Sequence, residues 1–330
     1  MKTRTVGASG LQVSAVGLGT NSFGTRLDLD EARSIIDECE DLGITLLDTA
    51  DLYGEGESER IIGRLLAGRR DRFVVATKVG LPWEDGSRPG GLDPAYIRSS
   101  VQESLKRLSM DHIDLLQLHV LDPRVPMADV LEVLDELVAK GLVRHVGCSN
   151  FRTWEVVEWV LTARHEGWPR FVSVQSEYSM LVRDAETELL SACQRLGLGL
   201  IPYRPLAQGF LAGKYRRGER PPEGSRLALQ QSVRIQRETE QNWHAVEEVG
   251  ELAETKGCTP AQLAISWLLS RTQVSSVIAG ASNRAQLADN ARAADIDLSG
   301  YDLDVLERAL PPVPGGTVGS MALREYLLGG

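Results

Sequence analysis

Three residue types capable of acid–base work fall at the ends of short apolar runs. Asp48 closes Thr45–Asp48, Lys78 follows Phe73–Thr77 and His119 closes Ile113–His119. Tyr53 stands a few residues past Asp48, in Thr49-Ala50-Asp51-Leu52-Tyr53-Gly54. A phenol with a pKa near ~10 is a weak acid at neutral pH. A neighbouring ammonium favours the phenolate and makes the tyrosine a better proton donor. In that arrangement Asp48 keeps Lys78 placed and charged, His119 orients a carbonyl oxygen, and Tyr53 protonates it. Each residue alone has a plainer reading: an Asp at a strand end caps a helix, a Lys after a strand is a solvated charge, and a His ending an apolar run is a satisfied core residue. Their joint placement on three successive runs is what the plainer readings leave unexplained.

Those runs must be neighbours for the groups to meet, and strands about 4.8 Å apart would bring them together. The chain alternates short, nearly all-apolar runs with longer amphipathic ones. Eight candidate strands are Val16–Gly19, Thr45–Asp48, Phe73–Thr77, Ile113–His119, Val143–Cys148, Phe171–Gln175, Leu198–Tyr203 and Ser276–Ala279. Runs apolar on both faces suit strands that are covered on both sides. Ahead of them, Arg4–Val6 and Leu11–Val13 around Gly7-Ala8-Ser9-Gly10 read as a hairpin. Helices begin at the capping pattern Asp28-x-x-Glu31 and stop at Gly43; begin at Asp93 with Pro94 in the first turn; run over Met127–Lys140 to a stop at Gly141; open at Thr259-Pro260; and occupy Asn283–Ala294. Repeated β-then-α units with short links predict one (β/α)8 TIM-barrel domain over residues 1–330, with an N-terminal β-hairpin and a C-terminal extension. Two segments break the rhythm and are expected at the functional face: a polar loop over Pro205–Thr239, and the tail from Leu298, with a helix at Leu303–Ala309 and a Pro/Gly stretch at Pro311–Gly316.

Composition narrows the function. The 330 residues are 42% hydrophobic and 25% charged, enough for a full core, and the net charge of −10 argues against a nucleic-acid surface. Cys39, Cys148, Cys193 and Cys258 are widely spaced with no C-x-x-C. That pattern reads as reduced thiols of a cytoplasmic protein, with neither a disulfide framework nor a metal site. No apolar segment has the length of a signal-peptide core or a membrane span. Gly17-Leu-Gly19 with Gly24 mimics a dinucleotide fingerprint, but the spacing is wrong and Asp28, Asp30 and Glu31 would repel a pyrophosphate at the next helix. These glycines are expected to serve a tight turn at the end of the first strand. No heptad or exposed strand pattern signals an oligomeric state.

The segments Leu47–Gly54, Thr77-Lys78, Asp114–His119, Gly147-Cys148-Ser149-Asn150-Phe151, Pro202–Gly209 and Gly280-Ala281-Ser282 together resemble the aldo-keto reductase superfamily. The resemblance runs from about Arg4 to Asn290 and implies an NADPH-dependent carbonyl reductase on a TIM barrel. It implies that Asp48, Tyr53, Lys78 and His119 are a catalytic tetrad with Tyr53 the general acid. It further implies that Ser149, Asn150 and Gln175 bind the nicotinamide carboxamide, whose donor and acceptor faces suit amides, and that Tyr203 stacks on the nicotinamide. Leu206, Gln208, Gly209, Leu211 and Lys214 would cover the pyrophosphate, with Gly209 and Gly213 permitting close backbone approach. Gly280, Ser282, Arg284, Gln286 and Asn290 would hold an adenosine 2′-phosphate at a helix N-terminus, while Asp289 is placed to accept from an adenine amino group. NADP(H) is the expected cofactor.

Two residues depart from the common pattern. Arg204 stands where many relatives have a small residue, which alters the expected pyrophosphate contact. Asn21 follows Thr20 where some relatives have an aromatic, which enlarges or polarises the pocket. Phe23, Trp83 and the tail from Val313 are expected to line the substrate mouth for a small carbonyl compound. Potassium-channel β subunits share this motif set and use bound cofactor partly as a redox signal, so a regulatory binding protein is the main rival. A Schiff-base lyase built on Lys78 is disfavoured, because Asp48 keeps the amine protonated.

Overall fold

The computed structural model describes residues 1–310; the Pro311–Gly316 stretch and the tail from Val313 lie outside the described residues. All eight expected strands are present: β3 (Val16–Gly19), β4 (Leu46–Asp48), β5 (Val74–Val79), β6 (Ile113–Leu118), β7 (Val143–Ser149), β8 (Ser173–Glu177), β9 (Gly199–Tyr203) and β10 (Val277–Gly280). They run parallel in the order β10-β3-β4-β5-β6-β7-β8-β9. A parallel bridge between Leu200 and Val274, with Leu200 donating to Gln273 and Ser275 to Leu200 at 2.8 Å each, joins the two ends into a (β/α)8 barrel. Ahead of it β1 (Thr3–Thr5) and β2 (Gln12–Ser14) pair as the expected antiparallel hairpin, one residue out of the expected bounds.

Helices fill each crossover: α1 (Leu29–Leu42), α2 (Glu57–Leu65), α3 (Pro94–Leu108), α4 (Met127–Ala139), α5 (Thr153–Glu166), α6 (Leu189–Leu196), α7 (Arg226–Leu229), α8 (Gln231–Arg237), α9 (Glu240–Lys256), α10 (Pro260–Leu269), α11 (Arg284–Arg292) and α12 (Gly300–Ala309). The caps expected from sequence are formed. Asp28 accepts from the amides of Asp30 and Glu31 while Glu31 accepts from the Asp28 amide, and Gly43 ends α1 in the left-handed conformation. Helices α2, α5, α6 and α9 were not expected; nor were α7, α8 and a 3-10 segment at Ala207–Ala212 inside the loop expected over Pro205–Thr239.

Two cores explain where polar groups can stand. The larger lies between sheet and helices. The smaller fills the barrel floor with Leu46, Ala76, Leu115, Ile201 and Ile278, plugged by Val6 and Val13 of the hairpin segment. Side chains two residues apart on a strand share a face, so the same inward face that carries Leu46, Ala76 and Leu115 carries Asp48, Lys78 and Gln117 one layer higher. The fold therefore stacks a polar layer on an apolar one, at the C-terminal end of the strands where barrels place chemistry.

Gly17 and Gly19 correct the sequence reading. They lie inside β3, where a Cβ would come within 2.8 Å and 2.9 Å of the Ile278 side chain. They make room inside the barrel for a residue of β10. The turn belongs to Gly24, which takes the left-handed φ of 75°.

Candidate active site

Asp48 and Lys78 meet in the upper layer. Asp48 ends β4 opposite Ala76 of β5, which sets Lys78 one inward position nearer the mouth. Lys78 lies within β5, whose ladder with β6 continues through Lys78↔Gln117 and Val79↔Leu118, and so does not follow the strand as expected. Its ammonium donates to Asp48 Oδ2 and to the Thr49 carbonyl, both at 2.8 Å, and is 1% exposed. The other carboxyl oxygen of Asp48 accepts from Gln175 Nε2 at 2.7 Å, across the barrel, and from Gln117 Nε2 at 3.4 Å. Burial works to neutralise the Lys78 ammonium, but Asp48 and Tyr53 beside it win and hold it above the ordinary lysine value.

Tyr53 sits on a turn closed by its own amide, which donates to the Ala50 carbonyl at 3.2 Å. The Lys78 ammonium lies 5.1 Å from its ring centroid. Burial raises the phenol pKa, and Lys78 pulls it back only in part. The ammonium acts on Tyr53 with the expected sign, but desolvation of a phenolate outweighs the neighbouring charge and the net shift is upward. Tyr53 is held fully protonated at neutral pH. His119 follows β6 and meets the Tyr53 ring edge-on, with centroids 6.3 Å apart. Burial first, and the Lys78 charge second, push its pKa well below the ordinary histidine value, so the imidazole is neutral. Its Nδ1 is buried without a hydrogen-bond partner in the protein.

Around this group the strand ends are wired together. Asn150, at a left-handed φ of 59°, donates to the His119 carbonyl at 3.0 Å and to Ser149 Oγ at 3.1 Å, and accepts from the Tyr203 hydroxyl at 2.7 Å. Ser149 at the end of β7, Asn150 just beyond it and Tyr203 at the end of β9 are thus linked, while Gln175 of β8 reaches Asp48. Thr20 is fully buried, with its hydroxyl donating to the Asp48 carbonyl and bonded to Ser58 Oγ, so its side chain is structural. Asn21 is exposed beside it.

The loop after β9 bends sharply. Arg204, Ala207, Gln208 and Gly209 all take positive φ, a concave backbone of the kind that gathers N–H groups around an anion. A Cβ on Gly209 would meet the Lys214 side chain at 3.3 Å, so the exposed lysine lies over this turn. Arg204 donates to Glu177 at 3.1 Å, and Arg237 reaches both Glu177 at 2.8 Å and Gln208 at 3.3 Å. Leu206 is half-buried against the core and Leu211 is 1% exposed within it, which leaves only the Leu211 backbone for a ligand.

After β10 and the exposed Gly280, Ser282, Arg284 and Gln286 form an exposed strip at the start of α11. Gln286 accepts from both the amide and the hydroxyl of Ser282, and Asn290 donates to the Gly280 carbonyl at 3.4 Å. Arg284 is turned to Glu38 and Asp41 of α1. Asp289 accepts from Gln262 at 2.6 Å and Thr259 at 3.1 Å, which occupies both oxygens expected to face an adenine.

Of the expected substrate residues, Phe23 is 0% exposed in the main core, so it lines no mouth; a short polar segment hid the fact that its one aromatic packs inward. Trp83 is half-buried just beyond β5, with Arg88 stacked 4.8 Å from its ring.

The Aldo/keto reductase family model matches residues 15–310, nearly all of the described barrel. The chain belongs to the aldo/keto reductase family. It is 36% identical to the uncharacterized oxidoreductase YrpG of Bacillus subtilis (strain 168), covering 94% of this chain and 96% of that one. It is 34% identical to a probable voltage-gated potassium channel subunit beta of Arabidopsis thaliana, over 95% and 98% of the two chains. It is 35% identical to L-glyceraldehyde 3-phosphate reductase of Escherichia coli O157:H7, over 89% and 87%. As a member of the family the chain is an oxidoreductase.

Sequence reasoning gave no role to several residues that this aldo/keto reductase brings to the site. Gln117 reaches Asp48, and Ser58 bonds Thr20 and Thr49. Glu59 and Arg107, one on α2 and one on α3, pair beside the Tyr53 turn at 2.7 Å. For Gln117 a signal existed: it holds the inward position next to Lys78, between Leu116 and Leu118.

Proposed function

We propose that this aldo/keto reductase uses NADPH to reduce an aldehyde or ketone to an alcohol, with Tyr53 as the proton donor. The observation that carries this reading is a protonated phenol set beside a buried, carboxylate-held ammonium and a neutral imidazole. His119 can hydrogen-bond a carbonyl oxygen without placing a second cation in the pocket. Tyr53 then gives that oxygen its proton, and Lys78 stabilises the phenolate left behind, a charge that develops where the ammonium already waits. Asp48 keeps Lys78 charged, and the Gln175 and Gln117 amides keep Asp48 oriented.

A nicotinamide dinucleotide would supply hydride at the mouth. The donor set suits it: Asn150 and Gln175 amides with Ser149 for the carboxamide, the Tyr203 ring for the nicotinamide face, and the Arg204–Gly209 turn with Lys214 for the diphosphate. Ser282, Arg284 and Gln286 offer an exposed cationic strip for a 2′-phosphate. Arg284 would have to leave Glu38 and Asp41, but surface pairs of this kind hold with only about 0–1 kcal/mol. Reduced, buried Cys39, Cys148 and Cys193 favour a cytoplasmic setting.

The test is a panel of aldehydes and ketones followed by NADPH absorbance, with NADH alongside. It should include phosphorylated aldehydes, given the similarity to L-glyceraldehyde 3-phosphate reductase. Tyr53→Phe is expected to lower kcat by about 10²–10⁴-fold with the fold unchanged; near-wild-type turnover removes Tyr53 from the role. The similarity to a probable potassium channel β subunit favours a second reading as a redox-sensing binding protein. Slow, single-turnover oxidation of NADPH across the panel would select it.

A further inference from the structure

Beside the Tyr53 turn lies a buried polar cluster that the chemistry above does not use. Asp51 is 0% exposed, and neither of its carboxyl oxygens has a hydrogen-bond partner in the protein. Its main chain ties it to both reacting groups. The Asp51 amide donates to the Lys78 carbonyl at 3.2 Å, and the Tyr53 amide donates to Ala50 at 3.2 Å, closing a turn with Asp51 and Leu52 at its centre. A shift of the Asp51 side chain therefore moves the turn that seats Tyr53.

The groups facing Asp51 come from three elements. On α2, Glu59 is 0% exposed and accepts from Thr77 at 2.6 Å and Arg107 Nε at 2.7 Å. On α3, Arg107 is thereby engaged with Glu59 and also donates to Ser104, while Tyr96 carries a buried hydroxyl without a partner. In the loop after β5, Arg88 is stacked on Trp83 and paired with Glu103. Across the main chain, the Lys78 ammonium is committed to Asp48 and Thr49. Each cation near Asp51 thus has a partner already, and the neighbouring Glu59 has the wrong sign. An ionised carboxylate here would be a buried, uncompensated charge, which proteins avoid by holding the acid neutral. Burial, and then Glu59, push the Asp51 carboxyl up to about 8 against the pull of Arg107 and Arg88.

We propose that Asp51 is a positioning residue for Tyr53: as a neutral acid it lets the Ala50–Tyr53 turn stay closed, and on losing its proton it opens that turn and withdraws the phenol from Lys78. This rests on Tyr53 being the proton donor. The alkaline limit of the enzyme is then set by a side chain that never touches substrate.

The test is kcat/KM for aldehyde reduction by NADPH from about pH 6 to pH 10, on the wild type, Asp51→Asn and Glu59→Gln. The wild type is expected to break near the Asp51 titration and to fall about tenfold per pH unit beyond it. Asp51→Asn keeps the shape of the turn and cannot ionise, so it should retain neutral-pH kcat/KM within about threefold and lose the break. Glu59→Gln removes the charge that opposes ionisation and frees Arg107, so its break should move to lower pH. A wild type with no such break, or one break shared by all three proteins, overturns the proposal. Should Asp51→Asn not fold, an unmoved or raised break in Glu59→Gln overturns it alone. Tyr53→Phe separates the two readings: if it stays active the proton-donor assignment fails, and if it is inactive while the breaks coincide only the Asp51 role fails.

Discussion

Lys78 carries a full charge at 1% exposure, and its partner carboxylate is 5% exposed. Removing both from water is costly, and the pair is tolerable because its own polar atoms find partners: the Thr49 carbonyl for Lys78, two side-chain amides for Asp48. Taking away one member should hurt more than taking away both. Lys78→Met is expected to cost about 3–5 kcal/mol in urea unfolding, since Asp48 then stands buried beside amides alone, and adding Asp48→Asn should recover part of that loss. Asp51 makes a different prediction. Its folded pKa of about 8 is raised above the unfolded value, so its contribution to stability is fully present below pH ~4 and is lost as pH rises through about 8. Relative to wild type, Asp51→Asn should therefore melt at progressively higher temperature from pH 5 to pH 8, by an amount that reaches a few kcal/mol; a constant difference in Tm across that window would contradict it. Asp48, Tyr53, Lys78 and His119 were legible because polar residues at the ends of apolar runs are conspicuous. The Asp51–Glu59–Arg107 cluster was not, since Glu59 beside the exposed Arg60 reads as one more charge on a solvent-facing helix. The sign of the Tyr53 shift was missed for a related reason: a sequence displays neighbours but not the depth at which they are buried.

At the scale of elements, α2 and α3 hold that cluster together. Gly63 of α2 rests on the end of α3, where a Cβ would stand 2.5 Å from the Leu108 carbonyl oxygen and 2.6 Å from that of Arg107. Backbone cannot yield as a flexible side chain does. Gly63→Ala should force the helices apart and cost about 1–3 kcal/mol or more in chemical denaturation, with a parallel loss of activity through the Tyr53 turn. Helix α2 itself was absent from the sequence reading because Gly56 starts it with no side-chain cap, which leaves no Ser, Thr, Asp or Asn to mark the place. The strands, by contrast, were found with ends shifted by no more than a few residues, because a continuous apolar run bounded by polar residues is unambiguous when the next unit repeats it. Gly17 and Gly19 show the limit of that logic: their purpose is set by Ile278, a residue of the last strand, and nothing local reveals it.

On the whole molecule, floor and mouth are separable. Arg4 at the floor donates to the carbonyls of Leu269 at 2.6 Å and Val274 at 2.8 Å, which ties the hairpin to the last crossover. Arg4→Ala should lower unfolding stability by about 1–3 kcal/mol while leaving kcat at 25 °C unchanged, because the polar layer lies at the opposite end of the strands. A loss of kcat in proportion to stability would show that the two ends are coupled. The polar layer above Leu46, Ala76 and Leu115 is shared among β4, β5, β6, β7, β8 and β9, while β10 and β3 complete the circle that holds those strands in place.

That circle is joined by Val16 against Val277 and Gly19 against Gly280. A ribosome adding about 5–20 residues per second would finish the first barrel strand tens of seconds before its partner is made. Through that interval the edge of β3 has no neighbour on one side, and an open strand edge is a template for wrong pairing. Release of the finished chain, rather than synthesis of any catalytic segment, is thus the moment at which the enzyme comes into being. Nascent chains halted before Val277 should be captured by chaperones, and released full-length chains should escape them.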